Sequence, residues 1–251
     1  MNWWVHSAYE DGGVVLLFSW AFWVIFSICL HELAHGWAAI ANGDRTPREL
    51  GHMTMNPIVH MGWTSLIFFA IAGIAWGMMP TNPMRYRHER RGRVLVAAAG
   101  PAINLALSLA TLTAAALWAW AIETGRIAPA EHVERNVMQF LFIGGLLNVL
   151  LCAFNLLPVP PLDGSNILAG ASPALDRFFS NPAVRMYGLI VMLVLFFRVV
   201  DMPLQRTMRT ASTDYAGWVT LKLMELDGTA RRAEAEDGAN NPGDAASPAG
   251  D

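Results

Sequence analysis

The sequence predicts an all-α polytopic membrane protein, a helical transmembrane bundle with a small membrane-associated β/loop element after the first helix. Composition is the first of three observations behind this. Of 251 residues, 54% are hydrophobic and only 15% charged, where a soluble domain carries about 25% charged residues. Second, the chain holds five long apolar runs, Val14–Leu30, Leu66–Met79, Val94–Ile122, Phe140–Leu157 and Val184–Val200. Crossing a hydrocarbon core takes about 20 mainly apolar residues in a helix. Four runs approach or reach that length. Leu66–Met79, interrupted by Gly73 and Gly77 and bounded by Pro80, reads as re-entrant or as part of a membrane-associated loop. Third, charge is concentrated between the runs: Arg85, Arg87, Arg90, Arg91 and Arg93 crowd one short loop opposed only by Glu89.

Taken in order, residues 1–13 form an extracytoplasmic N-terminal segment, with Glu10 and Asp11 suited to the outer side. It lacks a basic n-region, so the first apolar run is expected to stay as a membrane segment. The transmembrane domain covers 14–202. Short Arg-rich loops stay in the cytoplasm, which puts 85–93 inside, while the nearly charge-balanced loop 123–135 suits the outside. Residues 203–226 mix Trp218, Leu221, Leu223 and Met224 with polar residues, the pattern of an amphipathic helix at a membrane surface. The tail 227–251 has almost nothing apolar larger than Ala and is expected to be disordered. Arg206 and Arg209 would lie outside if Val184–Val200 runs outward, against the charge rule, which leaves the side of the tail open. The net charge of −3 implies no nucleic-acid partner. Cys29 and Cys152 sit inside apolar runs and read as small packing residues.

The chemistry concentrates in His31-Glu32-Leu33-Ala34-His35, which follows the first apolar run directly. Positions i and i+4 share a helix face, so the two imidazoles can hold one metal ion, with Glu32 close enough to act on water there. Imidazole and carboxylate groups are costly at membrane depth and usually mark function. A catalytic zinc takes three protein ligands. The candidate for the third is Asp163, which follows the run Phe140–Leu157 after a break at Pro158, Pro160 and Pro161. Its other reading is an N-cap for the next helix. His52 and His60 could suggest a second metal but read better as interfacial side chains.

Three motifs together resemble the site-2 protease family of intramembrane metalloproteases: His31 to His35, then Gly100-Pro101-Ala102-Ile103-Asn104, then the stretch from Asn155 to Asp163-Gly164. The resemblance covers roughly Val14 to Val200. It implies one Zn2+ per chain held by His31, His35 and Asp163, and Glu32 as the catalytic base. It implies a substrate-holding role for Asn155 and structural roles for Gly100, Pro101 and Asn104. The stretch Thr54-Met55-Asn56-Pro57 with His60 also resembles an element of compact bacterial members, although Gly62-Trp63 stand where those have Asp-Pro. The length leaves no room for the PDZ or CBS domains of larger members.

The expected partners are therefore a transmembrane protein substrate and the lipid bilayer. The expected location is the cell membrane, with the site toward the cytoplasm. An edge strand in 46–59 is expected to pair with unwound substrate. The rival readings are a non-catalytic zinc-binding scaffold, which would not need Glu32, and a transporter, which would not need the proline-rich segment before Asp163.

Overall fold

Helix formation follows the apolar runs. The computed structural model describes residues 4–198, 210 and 212–228. Among these, eight helices are bounded as α1 Trp4–Ala41, α2 Thr46–Glu49, α3 Pro57–Ala72, α4 Glu89–Glu123, α5 Glu131–Asn155, α6 Asp163–Ala171, α7 Pro173–Phe179 and α8 Pro182–Arg198, with a 3₁₀ turn at Pro83–Arg85. A further helix covers 212–228. Three helices are long and apolar enough to cross a membrane: Gly13–Ala41 of α1, α4 and α5. The pair α7 and α8, bent by 74°, forms a fourth if counted as one broken span.

The breaks have local causes. The backbone of α1 leaves helical geometry at Gly13, where φ is 69°, so the N-terminal turns are set off from the span. Asn56 caps α3 by accepting from the Ile58 N–H at 3.0 Å, with Pro57 in the first turn, the usual start signal of a helix. That helix has 16 residues, is broken at Gly62 where φ is 66°, and ends at Gly73, short of the length of a span. The expectation that Leu66–Met79 is not a simple span fits this ending. α5 stops at Asn155, before the three prolines, as a helix must when N–H donors run out.

The β part of the expected β/loop element is absent, because no β-strand occurs among the described residues. The edge strand expected in 46–59 is instead the short helix α2, a run of turns and the start of α3. Residues 74–80 form an irregular segment with no regular secondary structure. It is held by Ser65, whose hydroxyl donates to the Trp76 carbonyl at 2.7 Å and accepts from the Trp76 N–H at 2.8 Å, and by the Met78 N–H donating to the His60 carbonyl at 2.9 Å. A serine hydroxyl and a helix carbonyl have taken the place of a neighbouring strand.

The core of the bundle is α1, α4 and α5. α1 and α4 are antiparallel: His31 meets Asn104, and His35 meets Val96. α4 and α5 are antiparallel too, with Asn104 opposite Asn148 and Ser108 donating to the Gly145 carbonyl at 2.8 Å. The indole N–H of Trp23 donates to the Phe140 carbonyl at 2.9 Å, tying α1 to α5. Trp23, Val24, Ile28, Met61, Phe69 and Leu147 form the main apolar cluster. Phe18, Trp63, Ile67 and Leu193 are exposed, as they can be where lipid is the solvent.

The segment expected as an amphipathic surface helix is helical over 212–228 and lies along the second half of α4. The Tyr215 hydroxyl is 3.0 Å from the Thr113 hydroxyl, and Arg126 pairs with Asp227 at 2.5 Å. The rest of the tail, 229–251, lies outside the described residues.

One buried carboxylate closes the loop between α1 and α4. Asp44, 0% exposed, accepts from the Thr46 N–H at 3.0 Å and from the Asn82 N–H at 2.6 Å. It thereby pins the two ends of the segment that contains α2, α3 and the irregular 74–80. Burial alone would raise its pKa. Bonds from Asn82 and Thr46, with Arg85 nearby, outweigh burial and hold it below the usual carboxylate range. A folded-state pKa below the unfolded value of about 3.9 stabilises the fold above that pH and is lost only as pH falls through the depressed value. Asp44→Ala, which strands two buried N–H groups, should cost about 2–4 kcal/mol by thermal denaturation in detergent at neutral pH. Wild-type melting that stays flat from pH 7 down to pH 5 would agree with the sign.

Candidate metal centre

His31 and His35 lie one turn apart on α1, and both side chains point at α4. Each ring is oriented through its Nδ1. His31 Nδ1 is 2.8 Å from Asn104 Oδ1, and His35 Nδ1 is 2.7 Å from the Val96 carbonyl. A carbonyl oxygen can only accept, so both rings carry their proton on Nδ1 and present an Nε2 lone pair. The two Nε2 atoms are 3.0 Å apart. Asp163 Oδ2 lies 3.1 Å from the first and 3.3 Å from the second.

Three electron-pair donors at such separations repel one another unless a cation lies between them. The donor set tests which cation. Two imidazoles and one carboxylate are a catalytic-zinc set, and zinc bonds of about 2.0–2.1 Å at tetrahedral angles bring ligand atoms to roughly 3.3 Å of each other. The residues fit zinc. His31, His35 and Asp163 are also the one such cluster of three or more His, Cys, Asp or Glu side chains among the described residues.

The surroundings explain the other motif residues. A Cβ on Gly100 would lie 2.4 Å from His31 Nε2 and 2.5 Å from His35 Nε2, so the absence of a side chain on α4 makes the space for the centre. Pro101, buried inside α4, frees the carbonyl one turn back. Asn104, 0% exposed, is more than a packing residue because it orients His31. Asp163 is the first residue of α6 and Leu162 is its N-cap, so the capping alternative does not hold; the carboxylate turns to the histidines. Asn155 ends α5 with its amide donating to the Leu151 carbonyl at 3.0 Å, and it makes no hydrogen bond to the three ligands among the described residues.

Glu32, 7% exposed, lies on the neighbouring stripe of α1 and faces the irregular segment 74–80 at Gly77. A Cβ on Gly77 would come within 2.7 Å of Glu32 Cγ and Oε1. Gly77 and Asn148 carried no motif. The signal for Asn148 was a lone amide inside an apolar run. The His60 Nε2–H donates to the Thr54 carbonyl at 2.6 Å, with His52 at 6.4 Å between ring centroids.

The sequence matches Peptidase family M50 over residues 19–121 and 120–199. The chain belongs to that family. It is 36% identical over 175 residues to YwhC of Bacillus subtilis, described as a candidate zinc metalloprotease, an alignment covering 69% of this chain and 77% of the relative. Two further relatives with the same description are Rip2 of Mycolicibacterium smegmatis, 31% identical over 179 residues (68% of this chain, 63% of the relative), and Rip2 of Mycobacterium tuberculosis, 29% identical over 196 residues (75% and 69%). No solved structure matches the chain. Family membership and the apolar spans make this an intramembrane metalloprotease of the site-2 protease family that uses Zn2+, for which His31, His35 and Asp163 form a candidate site. Nothing in the comparisons supports the non-catalytic scaffold or the transporter.

Two glycine variants should separate the two sides of the centre. Gly100→Ala, which drives a methyl into both Nε2 atoms, should purify with little or no zinc by metal analysis. Gly77→Ala should keep a full complement of zinc and lose most of its proteolytic turnover, since the displaced backbone lies over Glu32.

Proposed function

We propose that the protein is a zinc metalloendopeptidase of the site-2 type. Its reaction is hydrolysis of a peptide bond within or beside a transmembrane segment of a membrane-anchored protein. The observation that carries this is the buried convergence of His31, His35 and Asp163 with Glu32 one position along the helix. These three residues would hold one Zn2+ per chain, which supplies Lewis acidity toward the scissile carbonyl and toward water. Glu32 accepts the proton of the attacking water at its carboxylate and delivers it to the leaving amine.

The substrate helix must unwind first, because its amides are internally bonded. Extended substrate would run beside 74–80, the irregular segment next to Glu32, in place of the edge strand expected in 46–59. Undiminished turnover in Gly77→Ala would reject that path. The substrate-holding role of Asn155 rests on family resemblance. It would require the side chain to leave Leu151, and a normal KM in Asn155→Ala would rule it out.

The site is proposed to face the cytoplasm. Gly100 comes eleven positions after Glu89 in α4, roughly 16 Å into the helix at 1.5 Å per residue, on the end that carries Arg90, Arg91 and Arg93. His31 is likewise nearer the Ala41 end of its span. Retention of Arg-rich short loops in the cytoplasm then sets the direction. Arg91→Cys is a direct check, since Cys29 and Cys152 are buried and stay silent. An impermeant maleimide should label the variant in inverted vesicles and not in intact cells; labelling from outside would reverse the assignment.

Glu32→Gln tests the chemistry. It should bind zinc at one per chain and cleave a co-expressed membrane-anchored substrate at least about 10²-fold more slowly, the lower range for loss of a general base. Full activity would defeat the mechanism.

A further inference from the structure

The structure assigns to Asn148, an α5 residue that belongs to none of the three motifs, the positioning of the metal ligand His31 through Asn104. This rests on His31 being a zinc ligand. Both asparagines are 0% exposed, on facing helices. The Asn104 amide donates to Asn148 Oδ1 at 3.2 Å, and the Asn148 amide donates to the Gly144 carbonyl at 2.8 Å. His31 Nδ1 completes the series at 2.8 Å from Asn104 Oδ1.

The polarity of this chain is fixed from its far end. A side-chain amide has one accepting and one donating end, and the two are nearly the same shape, so an isolated buried Asn104 could turn either face to His31. The Gly144 carbonyl has no hydrogen and can only accept. It therefore holds the Asn148 NH2 toward itself and leaves Asn148 Oδ1 facing α4. That oxygen takes an N–H of Asn104, which turns Asn104 Oδ1 toward His31. His31 must then carry its proton on Nδ1 and keep Nε2 free for the metal.

With the Asn104 amide reversed, its NH2 would face Nδ1 and the ring proton would move to Nε2, the atom that must bind. Partners one step removed from a zinc ligand commonly change metal affinity 10–100-fold. Here the control lies one helix further away and is exerted by a backbone carbonyl. His35 needs no such device, since its Nδ1 bonds directly to the Val96 carbonyl.

The test uses the purified full-length protein in detergent. Asn148→Leu, similar in volume and without polar atoms, should weaken Zn2+ binding at least about tenfold in competition with a chromophoric chelator. Asn148→Asp, which as a neutral acid can still donate to Gly144 and accept from Asn104, should stay within about threefold of wild type. In metal-free protein, the ¹⁵N signals of His31 should show loss of the Nδ1-protonated form in Asn148→Leu and its retention in Asn148→Asp.

A second variant pair separates polarity from packing. Asn104→Asp presents a carboxylate, which accepts whichever way it turns, so adding Asn148→Leu to it should cost no more than about twofold in zinc affinity, unlike in the wild-type background. If Asn148→Leu fails to accumulate, Asn148→Ala takes its place in both backgrounds. Equal losses in the two backgrounds, or an unchanged His31 tautomer, would overturn the assignment while leaving the zinc site intact. A wild-type chain that binds no zinc would overturn the zinc reading and this inference with it.

Discussion

The pair of hydrogen bonds that runs from the histidine Nδ1 atoms to α4 is the interaction on which the rest of the site depends. Spacing on α1 brings His31 and His35 to one face, but a helix alone leaves each ring free to rotate and to choose a tautomer. The Asn104 oxygen and the Val96 carbonyl remove both freedoms. Once they do, two lone pairs and a carboxylate oxygen share a small volume, and a cation is needed to make that arrangement favourable. Packing serves the same end: Gly100 stands where any larger residue would occupy the metal's place. The site is thus held by α1 and α4 together, with α6 contributing Asp163 from a segment 132 positions away from His31.

Glu32 is governed by a different constraint, the closure of the segment between α1 and α4. That segment begins and ends at the same end of the antiparallel pair α1 and α4. Asp44 fastens its base by bonding backbone N–H groups at both ends, and Ser65 and His60 hold residues 76–78 against α3. Backbone polar groups at membrane depth must be satisfied inside the protein, and here a hydroxyl and a helix carbonyl meet that need without a sheet. The result is an irregular length of chain that passes beside Glu32, the carboxylate proposed as the base, at Gly77.

Polar residues inside the spans divide the same way. Asn104 and Asn148 lie at 0% exposure in largely apolar helices. An unpaired amide in that setting would cost several kcal/mol. Pairing them head to tail avoids the cost and gives the bundle a direction of polarity that ends at a zinc ligand.

What the sequence determined by itself is what local pattern can encode. Apolar run length marked α1, α4 and α5 as spans, the prolines after Asn155 marked the end of α5, and Gly73, Gly77 and Pro80 marked a segment unable to cross. The four-residue spacing of His31 and His35 put two ligands on one face, and chemical type nominated Glu32 and Asp163. The tertiary structure alone decided what meets them. It replaced the expected strand in 46–59 with helix and turns, and it set the irregular segment 74–80 beside Glu32. It also withdrew Asp163 from capping, raised Asn104 from packing to orientation, and brought in Asn148 and Gly77, which belong to no motif. The physical reason is separation: contacts between residues 44, 73 or 132 positions apart depend on which helices become neighbours, and neighbours are chosen by packing across the whole bundle, which no short window of sequence contains.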